Sequence, residues 1–165
     1  MQQQRQPHPA DHAILGFIVW VAICFCAAAF GGLFRPGEWY AHLTKPSWTP
    51  PGAVFGPVWT VLYFLMATAA WLVWRGGGFA RHRTALRLFL GQLLLNAAWS
   101  PFSFGLKSLG LSLLDILALW VVLLLTLRWF FKAKPLAGWL MVPYAIWVTF
   151  ASALNFALWR LNPSG

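Results

Sequence analysis

Five apolar runs divide the chain, roughly Ala13–Phe34, Phe55–Trp74, Leu86–Phe104, Leu109–Phe131 and Leu136–Leu158. Each is about 19 to 23 residues long, close to the ~20 that a helix needs to cross a ~30 Å hydrocarbon core. Strands are excluded, because backbone facing lipid must satisfy its hydrogen bonds within the segment or in a closed barrel. The pattern predicts an all-α integral membrane bundle of five transmembrane helices over residues 13–160. A polar, glutamine-rich tail at 1–12 reads as disordered, and 161–165 form a short C-terminal tail.

The links after the second, third and fourth runs are short, which favours antiparallel neighbours, whereas residues 35–54 make a link of about 20 residues. Pro46, Pro50 and Pro51 fix φ there and remove N–H donors, so the part of this link from Lys45 onward is expected to be a rigid, non-helical lid. Pro57 falls in the first turns of the next helix, where a proline is tolerated. The link also holds Trp39, Tyr40, His42 and Trp48, and a connection this long in so small a protein is usually functional.

Within the runs, spacing picks out faces. Phe55, Trp59 and Tyr63 recur every four residues and put three rings on one side of a helix. Such a wall suits a flat ligand, and equally suits packing against lipid or a neighbouring helix. Gln92, Asn96, Trp99 and Ser103 form a polar, aromatic face that must point into the bundle, as interhelical glue or as pocket lining. Asp115, about six residues into the fourth run, is expected to hydrogen-bond a neighbouring helix, with ligand or proton handling as the alternative. Trp147, Ala151 and Asn155 share a face of the fifth run, roughly 200° from a stripe of small residues, Ala145, Thr149, Ala153 and Ala157. Cys24, Ala28 and Gly32 make a similar stripe on the first run; such stripes let helices approach closely. Pro143 is expected to kink the fifth helix.

Composition sharpens the class. With 60% hydrophobic and 9% charged residues, the chain lies far from soluble domains, which carry about 25% charge. The net charge of +9 comes from cations that flank apolar runs, so nucleic acid is not an expected partner and the lipid bilayer is. Arg5, Arg75, Arg81, Arg83, Arg87, Arg128, Lys132 and Lys134 gather on one side, against Arg35, Lys45, Lys107 and Arg160 on the other. The positive-inside rule then places the N-terminus on the cytoplasmic side and the C-terminus opposite. Cys24 and Cys26 point roughly 200° apart on a helix and cannot pair. Val21-Ala22-Ile23-Cys24 makes a poor lipoprotein cleavage site, because isoleucine precedes the cysteine and the apolar run continues beyond it.

The chemistry left open is narrow. His8, His12, His42 and His82 all lie outside the apolar runs, and no carboxylate pair or serine–histidine arrangement can form inside a bundle. His8, Asp11 and His12 sit in a tail without preorganised geometry, so no metal site is expected. Gly76-Gly77-Gly78 lacks the Gly-Lys-Ser/Thr of a phosphate loop.

From Trp39-Tyr40 to Asn162 the chain resembles the TspO/MBR family, the tryptophan-rich sensory proteins related to the peripheral-type benzodiazepine receptor. The resemblance rests on Trp39-Tyr40, Lys45-Pro46-Ser47-Trp48-Thr49-Pro50-Pro51, Pro57-Val58-Trp59, Leu62-Tyr63, Leu95-Asn96 with Trp99, Pro143-Tyr144 with Trp147, and Leu154-Asn155. It implies a five-helix membrane protein, commonly a homodimer, with a pocket beneath the first loop that takes tetrapyrroles such as porphyrin or haem. No further cofactor is implied. By position, Tyr40, Trp59, Asn96, Trp99, Trp147 and Ala151 resemble the family's pocket lining, with Pro50 and Pro51 shaping the lid. Trp48, Phe55, Tyr63 and Asn155 join them as expected ligand-binding residues, and Arg35 or Lys45 would meet a porphyrin carboxylate. Trp59 and Trp147 resemble the tryptophans implicated in light-dependent porphyrin breakdown by some bacterial members, which would make them catalytic. The family's sterol motif wants a tyrosine where this chain has Phe156, so sterol is not an expected partner. Three readings follow: a tetrapyrrole sensor or transporter, a tryptophan-dependent porphyrin-degrading enzyme, and a regulatory membrane scaffold.

Overall fold

The computed structural model describes residues 9–163. Among them lie six α-helices and one π-helical turn: α1 (Pro9–Gly32), α2 (Glu38–His42), α3 (Gly52–Arg75), α4 (Gly78–Ser100), the π turn (Pro101–Gly105), α5 (Leu109–Ala133) and α6 (Pro135–Leu161). Every helix except α2 has 23 to 27 residues, about 35 to 40 Å at 1.5 Å per residue.

Among the described residues four helices are long and apolar enough to cross a membrane: α1 from His12, α3, α5 and α6. The fifth expected crossing, α4, falls short of that measure. α4 has the length but spends its first turns on Arg81, His82 and Arg83 and carries Arg87, Gln92 and Asn96 further on. The outer surface agrees with lipid as solvent: Ile14, Leu15, Ile18, Leu94, Leu114 and Ile146 are all more than half exposed. The chain is a multi-pass integral membrane protein.

Neighbouring helices form a closed ring in the order α1, α3, α6, α5, α4 and back to α1, with α3 also touching α4 across it. One continuous core fills the ring, from Trp20 and Cys24 on α1 through Met66 and Val73, Phe89, Leu119 and Leu123 to Met141 and Tyr144. A smaller cluster, Leu109, Leu154 and Leu158, sits at one end and is covered by Trp39, Tyr40 and Leu43 of the loop. This is the loop end of the bundle. The opposite end carries the α3–α4 and α5–α6 turns and is called the basic end below.

Several boundaries differ from expectation for one reason: backbone hydrogen bonds do not stop where the hydrophobic run stops. α4 starts at Gly78 rather than Leu86, absorbing Arg81 to Arg87, which are adequate helix formers. Only residues 76 and 77 join α3 to α4, and Gly77, at φ 132°, supplies the conformation such a turn requires. At its other end the expected run to Phe104 breaks at Pro101, which has no N–H to continue the ladder, and the backbone widens into the π turn. α1 begins at Pro9, so residues 9–12 of the expected tail are helical. The loop holds one short helix, Glu38–His42, ahead of the proline-stiffened stretch, and residues 44–51 are non-helical. α6 runs from Pro135 to Leu161 with Pro143 inside it. His8 lies outside the described residues, as does the side chain of Asp11.

Candidate functional site

Between the middle of the bundle and its loop end, residues from three helices come to one place. Tyr63 on α3 donates its hydroxyl to Asn96 Oδ1 on α4. Asn96 Nδ2 donates to the Tyr144 hydroxyl at 2.9 Å, and that hydroxyl donates to Gln92 Oε1 at 3.0 Å. Tyr144, on α6, is fully buried, so one phenol ties α6 to two amides of α4 through the middle of the ring. Buried amides and hydroxyls need such partners, because an unpaired one costs about 1 to 3 kcal/mol.

Aromatic rings surround this network. Trp59 stands 5.5 Å from Tyr63 and 6.1 Å from Tyr144. Phe55 meets Trp147 edge-on at 5.7 Å, and Trp147 lies 5.6 Å from Phe150. Trp48 reaches down from the loop onto Phe150 at 5.8 Å. On the other flank, Phe104 of the π turn receives Tyr40 at 5.4 Å and Trp99 at 5.5 Å, both edge-on. The three-ring wall of α3 is therefore divided, Phe55 turning to α6 and Trp59 with Tyr63 to the hydrogen-bonded centre.

The loop is held over these rings. Asn162, just past α6, accepts from the Thr44 amide at 2.9 Å and donates to the Thr44 carbonyl at 3.0 Å and to Leu158 O at 2.8 Å. Thr49 closes a turn through its amide and hydroxyl, both donating to Pro46 O. Lys45 Nζ caps the end of α2, donating to Ala41 O at 3.0 Å and Leu43 O at 3.3 Å, and lies 4.9 Å above the Tyr40 ring. Burial pushes the Tyr40 phenol up from its ordinary pKa, so it is a proton donor at neutral pH. Arg35 Nε donates back to Gly32 O at 3.4 Å. Both loop cations thus already serve backbone carbonyls.

Among the described residues five buried side-chain polar atoms have no hydrogen-bond partner: Gln92 Nε2, Trp99 Nε1, Ser103 Oγ, Asp115 Oδ2 and Trp147 Nε1. Gln92 and Asp115 lie in the loop-end half of their helices, Trp99 and Ser103 at that end of the bundle and Trp147 at the middle of α6, and native proteins rarely leave such atoms unpaired. The hydrogen bond expected from Asp115 to a neighbouring helix is not found among the described residues. Ser112, one turn earlier on α5, donates to Asn155 Oδ1 of α6 at 3.4 Å as well as to Leu109 O at 3.1 Å, and Trp120 Nε1 makes a second α5–α6 link to Thr149 Oγ1 at 2.9 Å.

Of the expected site residues, Tyr63, Asn96 and Trp59 converge with the network, Trp99 and Tyr40 meet on Phe104, and Ala151 packs on the same core. Phe55, Trp147 and Trp48 form the second ring group. Asn155 is spent on Ser112, while Pro50 is half-buried in the loop and Pro51 is exposed as the residue capping α3. Sequence reasoning passed over Tyr144, Phe104 and Phe150. Tyr144 precedes Trp147 by three residues and so shares its face. Phe104 follows Pro101, whose missing N–H marks the irregular turn. Phe150 follows Trp147 by the same three-residue step.

Two open clefts, of about 210 and 220 Å³, lie at the basic end, away from these groups. At the loop end the aromatic rings close on one another, and the convergence of unpaired polar atoms identifies that end as the candidate site. Among the described residues no group of three or more His, Cys, Asp or Glu comes together as a metal site would require.

Comparison with known proteins bears on the same region. The model of the TspO/MBR family matches residues 20–160. The chain is 42% identical over 151 residues to Protein CrtK of Rhodobacter capsulatus, covering 89% of this chain and 92% of that one. It is 41% identical to a tryptophan-rich sensory protein of Cereibacter sphaeroides, covering 88% and 90% of the two chains. To the human translocator protein it is 42% identical over 137 residues, covering 80% and 81%.

Proposed function

The chain belongs to the TspO/MBR family, and from that premise we propose that it binds a tetrapyrrole, a porphyrin or haem, beneath the 35–51 loop and acts as a membrane sensor or transporter of it. The observation that carries this reading is the set of unpaired buried polar atoms among aromatic rings at the loop end. The indole N–H groups of Trp99 and Trp147 and the Ser103 hydroxyl are donors in want of an acceptor, and a tetrapyrrole brings carboxylates. Its wide apolar faces stack on indoles and phenols, an arrangement favourable beyond the area buried. Entry requires the rings to part and the loop to lift, and the Thr44–Asn162 pair is the contact that would yield.

The same reading makes α4 the fifth crossing. Its 23 residues are long enough, and its polar side chains Gln92 and Asn96 face the ring interior rather than lipid. The basic end is then cytoplasmic by the positive-inside rule, the loop lies on the opposite side, and the C-terminus leaves there. We assign a homodimer on the exposed small residues Gly32 and Ala153, where a second copy could approach closely.

A second reading has its own support. Trp59, Tyr63 and Tyr144 form a compact cluster of oxidisable rings. Under light, an indole there would give up an electron that dioxygen accepts, and a bound porphyrin would be oxidised in turn. Titration of the purified protein with protoporphyrin tests both readings, following tryptophan quenching in the dark and the pigment spectrum under light. Saturable micromolar quenching, equivalent to about −8 kcal/mol, weakened in both Trp59→Phe and Trp147→Phe, is the expected result. New absorption bands under light, lost in the variants, would favour the enzyme. Quenching that never saturates, or is the same in all three proteins, would leave a regulatory scaffold.

A further inference from the structure

The basic end carries two adjoining clefts, of about 210 and 220 Å³, that share His82 and Ala133. Arg75 and Lys134 wall the first, between the end of α3 and the α5–α6 turn. Arg81, Arg83 and Lys132 wall the second, between α4 and α5. The backbone of α4 leaves helical geometry at His82, with φ −119° and ψ 36°, which sets this residue between the two openings. Two of the cations are braced against rings: the Arg75 guanidinium lies 4.7 Å from the Trp71 ring and Lys132 Nζ 5.1 Å from that of Trp129. A braced cation loses less side-chain freedom when it binds an anion.

Charge balance makes the feature one-sided. Glu38 and Asp115, the carboxylates with described side chains, lie at the loop end. Trp129, which lines the second cleft, is 39% exposed and Phe79, two residues before Arg81, is 42% exposed, an aromatic fringe of the kind found at the headgroup level of a bilayer. Basic clefts between membrane helices at that level suit anionic headgroups, while aromatic surface beside them suits the lipid's glycerol and upper chain.

We propose that the clefts around His82 bind the phosphate of an anionic phospholipid headgroup, with Arg81, Arg83 and Lys132 as its donors and the lipid's apolar part lying along Trp129. The site is separate from the one beneath the loop and does not depend on a tetrapyrrole.

The test uses the purified full chain in zwitterionic detergent, with retained lipid counted by native mass spectrometry. Wild type should retain phosphatidylglycerol over phosphatidylcholine by more than tenfold. Arg83→Gln with Lys132→Gln should weaken retention by roughly 10- to 30-fold, as expected for two cations at a membrane surface. Lys107→Gln with Arg160→Gln, which removes the same charge elsewhere, should change it less than threefold. Equal retention of the two lipids by wild type would overturn the proposal without reference to any variant. So would an equal loss in the two double variants, or displacement of the lipid by inorganic phosphate in modest excess, which would indicate a site for the free anion.

Discussion

The two ends of the bundle are built on opposite rules. Toward the basic end the core is dry and complete: Phe89 stacks on Phe130 at 5.7 Å and 16°, takes Trp20 edge-on at 5.6 Å, and has neighbours such as Val73, Leu123 and Met141 that are buried almost without exposure. From the middle of the bundle toward the loop end the interior holds amides, indoles and a carboxyl, and the five unpaired polar atoms found among the described residues. In lipid, where apolar side chains gain little by leaving the solvent, close packing is what holds helices together. The first region supplies that packing. The second forgoes some of it and keeps polar groups available, as expected where stability is exchanged for binding.

Substitutions should separate the two regions. The largest stability effect is expected from Phe89→Ala, a cavity-forming change that should cost about 3 to 5 kcal/mol in detergent unfolding, while the fraction that remains folded keeps its porphyrin affinity. Tyr144→Phe removes a hydroxyl shared by two buried amides and should cost about 1 to 3 kcal/mol and weaken porphyrin binding as well. Asn162→Ala should cost about 0.5 to 1.5 kcal/mol and raise hydrogen exchange at the Thr44 amide, which loses its acceptor, with exchange in α5 unchanged. Asp115→Asn should change stability least, by under about 1 kcal/mol, because its unpaired oxygen gives up no bond. A large loss there would show that the loop end depends on that carboxyl as the other end depends on Phe89.

Much of this contrast was legible in the sequence. Four-residue spacing put Phe55, Trp59 and Tyr63 on one face, and Gln92 and Asn96 were marked as needing partners because hydrocarbon offers none. The partner, Tyr144, was not legible, since choosing it requires knowing that α6 sends a side chain across the ring to α4. Asp115 was read as bonded because insertion cost argues for a partner, but cost alone does not say whether one is in reach. The start of α4 was missed because charge marks the edge of the hydrocarbon, whereas the helix ladder continues past it. The π turn was signalled by Pro101 but obscured by the apolar residues that follow.

The most direct test is amide hydrogen exchange of the protein in nanodiscs, with and without saturating protoporphyrin. Binding beneath the loop predicts added protection at residues 38–52, 99–106 and 145–156, with residues 82–90 and 124–140 unchanged. Protection confined to the basic end, or none anywhere, would contradict the assignment of the polar, aromatic end as the binding site.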